Sequence, residues 1–375
     1  MKRKKKFNWA MLLLMAGSLV LGGFCGKMIV DVALQQELGP GQYLLTILGL
    51  ILGLYVILFA HVAIHEAGHL AFGLLTGYGF SSFRLGSIML LQENGKLRLR
   101  KLSLPGTGGQ CLMTPPELVN GKIPYLLYNL GGCIMNLAVS AVALLLWALL
   151  PKNTVVSVLL MMAAVFGLVL ALSNGIPARM GNVDNDGCNA LTLAKHPEAM
   201  KAFWLQLKIN EQLSKGVRLK DMPEAWFAEP EDMDNGLNAV AAIFVANRLL
   251  DEHRFQEAWS KQETLLADDN ALSELHQSLV TCDLLYCELI GENRPEVREQ
   301  LMTKEQKKYM QAMKKSISVL RTEYVLALLG DRDQEKAASL LAQFEKRAKT
   351  YPYPCEVESE RELIDYAQQC QIGAR

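Results

Sequence analysis

The chain has 375 residues, of which 51% are apolar, and its 38 Lys and Arg balance 38 Asp and Glu. That zero net charge hides a division: up to Ala190 there are 14 basic against 7 acidic residues, and beyond it 24 against 31. A neutral total with an acidic second half argues against nucleic acid as a partner. An apolar, sparsely charged first half followed by a charge-rich one predicts a membrane domain joined to a soluble helical domain.

Five basic residues, Lys2 to Lys6, precede an apolar run from Trp9 to Val30. The run is long and no small-residue cleavage pattern follows it, so residues 1–30 are predicted to be a retained signal-anchor helix. A second apolar stretch, Tyr43 to about Leu75, exceeds the ~20 residues that a bilayer span requires. A third covers Ile123 to Leu150, with Pro124 tolerable in its first turn. The fourth covers Thr154 to Asn174, after a tight turn at Pro151-Lys152-Asn153. The segments Met1–Lys6, Arg84–Lys122 and everything after Arg179 carry the basic residues, whereas the loops Asp31–Gln42 and Pro151–Asn153 hold one between them. By the positive-inside rule this predicts four spans with both termini cytoplasmic; the expected location is a bacterial cell membrane.

Between the second and third spans, Phe83–Leu91 and Leu97–Leu104 read as strands around an Asn94-Gly95 hairpin turn. Pro105 to Gln110 follows as a Gly-rich loop. An exposed sheet edge can hold an unwound substrate by strand addition, so Phe83–Gln110 is a candidate clamp, with Gly108 and Gly109 as candidate substrate-positioning residues. The other possibility is a hairpin that only plugs the core.

The second stretch contains His65-Glu66-Ala67-Gly68-His69. On a helix, residues i and i+4 share a face, so both imidazoles can reach one metal ion, and Glu66 is placed to act as general base. A zinc ion lowers the pKa of water from ~15.7 to about 7, which makes hydroxide available at neutral pH. Three ionisable side chains in one apolar span are costly without a function. A catalytic zinc needs a third protein ligand. Past the fourth span, Asn182-Val183-Asp184-Asn185-Asp186-Gly187 returns to the same side of the membrane as His65. It offers Asp186, with Asp184 and Cys188 as lesser candidates. The same string hints at a calcium loop, but Leu193 stands where that loop needs Glu. His61, one turn before His65, is either a second residue orienting a ligand or a packing histidine.

Residues 194–236 read as an amphipathic helix, Pro197 to Lys215, and an acidic linker broken by Pro223 and Pro230. Residues 237–375 read as a helical domain. Within it Leu237–Ala267 resembles a tetratricopeptide unit, with Ala246 and Ala258 at the spacing where two helices cross closely. Ala271–Ile290 and Ser316–Thr350 read as further hairpins. Such a domain presents a surface for a protein or peptide partner. The eight cysteines (Cys25, Cys111, Cys133, Cys188, Cys282, Cys287, Cys355, Cys370) show no C-x-x-C pair and are expected to be reduced thiols.

His65–His69, Gly131-Gly132-Cys133-Ile134-Met135-Asn136, Asn174–Pro177 and Asp186-Gly187, in that order on membrane spans, make the stretch Tyr43–Leu193 resemble the site-2 protease family of intramembrane zinc metalloproteases. Cys133 stands where that family usually has proline. The resemblance implies one Zn2+ held by His65, His69 and Asp186, with Glu66 as catalytic base and Asn136 positioning substrate or stabilising an oxyanion. It also implies substrates that are single-span membrane proteins or membrane-bound peptides. The expected fold is mainly α and multi-pass: four transmembrane helices with a small membrane-associated sheet, then the soluble helical domain. Two rivals stand beside it. One is a membrane-anchored zincin whose third ligand is a glutamate, with Glu93 and Glu117 as early candidates. The other is a catalytically inactive scaffold that displays helical repeats.

Overall fold

The computed structural model describes residues 9–35, 39–93, 95–102, 107–152, 154–180, 183–230, 232–267 and 270–373. The basic run Lys2–Lys6, Asn94, Pro105, Gly106, Asn153 and Asn182 lie outside these residues. The protein is mainly helical, and its contacts divide it into two compact units. The first comprises residues 1–78 and 124–195; the second comprises residues 79–123 and 196–375.

The first unit is a helical bundle. Four of its helices are long and apolar enough to cross a membrane: α1 (Trp9–Gln35), α2 (Pro40–Leu75), α3 (Leu126–Leu149) and α4 (Val155–Gly175). A shorter helix, α5 (Asp186–Lys195), closes the unit. The boundaries follow local chemistry. Pro40 opens α2, where its missing N–H costs nothing. Pro124 lies just ahead of α3, which starts three residues later than the apolar run. Thr154 caps α4 by accepting the Ser157 N–H. With 36 residues, α2 extends about 54 Å at 1.5 Å per residue, well beyond a ~30 Å hydrocarbon layer. Its first half exposes Leu44, Leu45, Leu48, Leu52 and Tyr55, whereas its second half buries His61, His65, Glu66 and His69. Cys25 and Val32 of α1, Leu50 of α2 and Val158, Met161, Met162 and Val165 of α4 form the apolar core.

Where α2 meets α3 the packing is backbone against backbone. A Cβ on Gly68 would collide with the Gly131 carbonyl, and one on Gly132 would strike the His65 ring. Small residues at this crossing let the two helices approach closely. That approach sets residues of α3 against the polar half of α2.

The second unit holds the four-stranded antiparallel sheet and the remaining helices. The strands are β1 (Gly79–Leu85), β2 (Ile88–Glu93), β3 (Lys96–Lys101) and β4 (Gly109–Thr114), in the order β3-β2-β1-β4. β2 and β3 pair antiparallel, with Glu93 facing Lys96. Phe83–Leu91, expected as one strand, is two. Gly86 has φ +57, and Leu85 faces Ile88 across a two-residue turn. The segment expected as a loop also differs, because Gly109 and Gln110 begin β4 on the outer side of β1. Arg84 is buried and donates to the Gly86 and Gly109 carbonyls and to Thr107 Oγ1, which ties the 107–109 segment to the sheet.

The helices of this unit are α6 (Met200–Ser214), α7 (Gly236–Asp251), α8 (Phe255–Ala267), α9 (Glu274–Ile290), α10 (Pro295–Leu301), α11 (Lys304–Ala312), α12 (Ile317–Val325), α13 (Gln334–Ala348) and α14 (Pro354–Gly373). The amphipathic segment becomes α6, which packs on the sheet and on α7, with Trp204 donating to the Pro116 carbonyl. The expected linker is packed as well: Phe227 is buried beneath Arg248. Ala246 and Ala258 are both buried, and α7 packs on α8. Ala271–Ile290 is a single helix rather than a hairpin, and Pro295–Ala312 adds two short helices that the sequence pattern did not mark. All eight cysteines are free thiols.

Candidate metal centre

The second half of α2 brings His65 and His69 onto one face, one turn apart. The ring Nε2 atoms stand 3.2 Å from each other. Asp186, the first residue of α5, closes the triangle: its Oδ2 lies 3.0 Å from His65 Nε2 and 3.5 Å from His69 Nε2. Ligand atoms 2.0–2.1 Å from a tetrahedral ion stand about 3.3 Å apart, so these three atoms describe one face of such a coordination sphere. Both histidines are buried, and Asp186 is half-buried. Among the described residues this is the one group of His, Cys, Asp and Glu arranged to hold a metal ion. Asp184 and Cys188 do not join it. Glu93 pairs with Arg100 and Glu117 with Lys208, so neither rival glutamate is a ligand in this group.

The far sides of the rings are held too. His69 donates from Nδ1 to the Tyr128 carbonyl, 2.8 Å away. A carbonyl only accepts, so the proton is fixed on Nδ1 and the Nε2 lone pair faces Asp186 and His65. His65 Nδ1 faces the Asn136 amide at 3.3 Å. The other end of that amide faces His61 Nδ1, also at 3.3 Å, and His61 Nε2 lies 2.8 Å from the Ala163 carbonyl. Glu66 is buried on the same turn.

Asp186 is placed by a residue that sequence reasoning missed. Asn185 is buried, and its Oδ1 accepts from Cys188 N at 2.9 Å, which caps α5, and from Ala178 N at 3.1 Å. Its Nδ2 donates to the Ser173 and Ile176 carbonyls, both at 2.7 Å. Three of these hydrogen bonds fasten the start of α5 to the end of α4 and the residues just past it. Gly187 completes the contact, because any Cβ there would run into the Gly175 carbonyl. Asn three residues before a backbone N–H at a helix start is a capping signal that was available in the sequence. The carbonyls of Tyr128 and Ala163 leave no such trace.

Gly108 and Gly109 belong to the sheet of the other unit, at the start of β4, where the Gly108 carbonyl accepts the Gly86 N–H. Compared with known protein families, with characterised proteins and with solved structures, the chain matches none.

Proposed function

We propose that this protein is an intramembrane zinc endopeptidase of the site-2 protease type, which hydrolyses peptide bonds of single-span membrane proteins or membrane-bound peptides. The observation that carries this reading is the 3.0–3.5 Å triangle of His65 Nε2, His69 Nε2 and Asp186 Oδ2, with both histidines on a helix long and apolar enough to span a bilayer. Two imidazoles and one carboxylate at tetrahedral spacing are a donor set suited to catalytic zinc, with the fourth position left for the reactants. When bound, the ion supplies Lewis acidity, which acidifies water and polarises a scissile carbonyl. Glu66, one residue from the first ligand, takes a proton from water and later passes it to the leaving amine.

A membrane substrate hides its peptide bonds in helical hydrogen bonds and must be held extended for cleavage. The sheet has two outer strands that could do this by strand addition. β3 carries Lys96, Arg98, Arg100 and Lys101, charges that blunt an edge against pairing, whereas β4 carries none. Proline substitutions in each strand separate the two: cleavage should fall with proline in the strand that receives substrate. If neither affects cleavage by a folded enzyme, the clamp assignment fails. The basic bias of the predicted cytoplasmic loops supports both termini in the cytoplasm.

The direct test is proteomics of membrane fractions from cells carrying the wild-type chain or Glu66→Ala. Single-span fragments should accumulate with the variant; identical profiles would remove the endopeptidase reading. The inactive-scaffold alternative finds support in a groove of about 690 Å³ on the helical unit, lined in part by Phe255, Trp259, Arg294 and Tyr366. A scaffold would carry no zinc after purification.

A further inference from the structure

The unsettled atom in the metal centre is His65 Nε2, which can either carry a proton toward Asp186 or offer its lone pair to a metal. Two side chains that do not belong to the triangle decide this. Asn136 is fully buried on α3, and His61 is almost fully buried on α2. With one end of its amide toward His65 and the other toward His61, Asn136 is engaged on both sides.

The oxygen and nitrogen of an amide are nearly the same size, so the chemistry of the neighbours must fix which way it points. The Ala163 carbonyl fixes the far end. It accepts only, so His61 Nε2 must donate to it. The structure places the amide oxygen toward His61 and the nitrogen toward His65; in that orientation His61 Nδ1 would also have to donate, and a doubly protonated ring would be buried in an apolar span. His65 would then accept at Nδ1 and carry its proton on Nε2, in the middle of the triangle. The opposite orientation leaves every group neutral and satisfied. His61 Nδ1 accepts from the amide nitrogen, and the amide oxygen accepts from His65 Nδ1–H. The His65 Nε2 lone pair is then free beside that of His69.

We infer that His61 and Asn136 form a tautomer lock, a one-way chain of hydrogen bonds from His65 through Asn136 and His61 to the Ala163 carbonyl, which makes His65 a metal ligand. The inference rests on the metal reading of the triangle. Both are positioning residues, and Asn136 acts on the metal side of the site rather than on the substrate. Gly167 belongs to the same device: a Cβ there would collide with His61, so the ring fills the space beside α4.

The experiment measures zinc affinity by chelator competition on purified full-length protein in detergent, with no substrate present. Asn136→Leu should weaken zinc about 10–100-fold, the usual cost of losing a partner that orients a ligand. His61→Leu should weaken it less, because the freed amide can still turn its oxygen to His65. Asn136→Asp should keep wild-type affinity, since a carboxylate accepts from His65 however it is turned. In that background His61→Leu should have no further effect. Histidine-selective 15N NMR of the zinc-bound protein should show His65 protonated at Nδ1. Circular dichroism separates loss of affinity from loss of fold. If the wild type binds zinc and folded Asn136→Leu binds it equally well, the lock is wrong and the metal reading stands. It is also wrong if His61→Leu costs as much in the Asn136→Asp background as alone. If the wild type binds no zinc, both fall.

Discussion

Both units of this protein bury charged and polar side chains, but they do so in opposite ways. In the helical unit several buried charges face their opposites. Arg218 lies between Asp251 and Glu362, Arg321 between Asp283 and Glu360, and Glu288 against Arg294. In the unit of the four long apolar helices the atoms that converge are two imidazole nitrogens and a carboxylate oxygen, with no Lys or Arg among the ion pairs that the triangle makes. A set of electron-pair donors packed this closely could hold a metal ion. The contrast separates buried charge that the chain compensates from within from a donor set that a bound cation would compensate.

The comparison breaks most sharply at Glu66. Glu66→Gln should cut turnover by about 10²–10⁴-fold or more, the range for losing a general base, and leave zinc content unchanged. Assay of a cleaved substrate beside metal analysis checks both halves, and retained cleavage would require a different base. Next in size is Arg321→Leu. Removing the cation strands Asp283 and Glu360, so thermal unfolding in detergent should show a loss of about 3–5 kcal/mol in the helical unit. Zinc affinity should be unaffected; a variant that stays folded yet loses zinc would show that the compensated charges also serve the metal site.

A pH dependence follows from Glu356. Burial pushes its carboxyl from 4.5 up to about 7, against a hydrogen bond to Tyr351 that pulls it down. The carboxyl is therefore neutral in the fold over a range where the unfolded chain is ionised. Its contribution to stability is fully present at low pH and declines as pH rises from about 4.5 to about 7, then stays level. The loss is a few kcal/mol at most. Unfolding curves between pH 5 and 8 should flatten in Glu356→Gln, and an unchanged slope would assign the effect elsewhere. The smallest effect is at Asn185. Asn185→Ala should cost about 1–2 kcal/mol as a lost helix cap, and it should weaken zinc because Asp186 is no longer fastened to α4. Unaltered zinc affinity in that variant would mean that Gly187 packing alone suffices to place the carboxylate.

How far the sequence reading reached depends on what kind of signal each feature carries. The four long helices and the His65–His69 pair were readable because apolar length and i, i+4 spacing are local patterns. Asp186 was reached across more than a hundred residues only through its Asp-Gly motif and a family resemblance. β4 was missed because glycines at residues 108 and 109 look like loop when the pairing partner, β1, is out of view. The single expected strand Phe83–Leu91 failed for the complementary reason: its apolar residues are continuous across Gly86, and only the backbone shows the turn. Asn185 and His61 were visible as residue types, but their roles depend on carbonyls of α4 that any sequence supplies.

The most direct test of the central claim is metal analysis of the purified chain and three variants by mass spectrometry. Wild type and Glu66→Gln should each carry one zinc per chain, and His69→Ala and Asp186→Ala should carry almost none. Zinc retained by folded Asp186→Ala, or missing from the wild type, would dissolve the triangle as a metal centre.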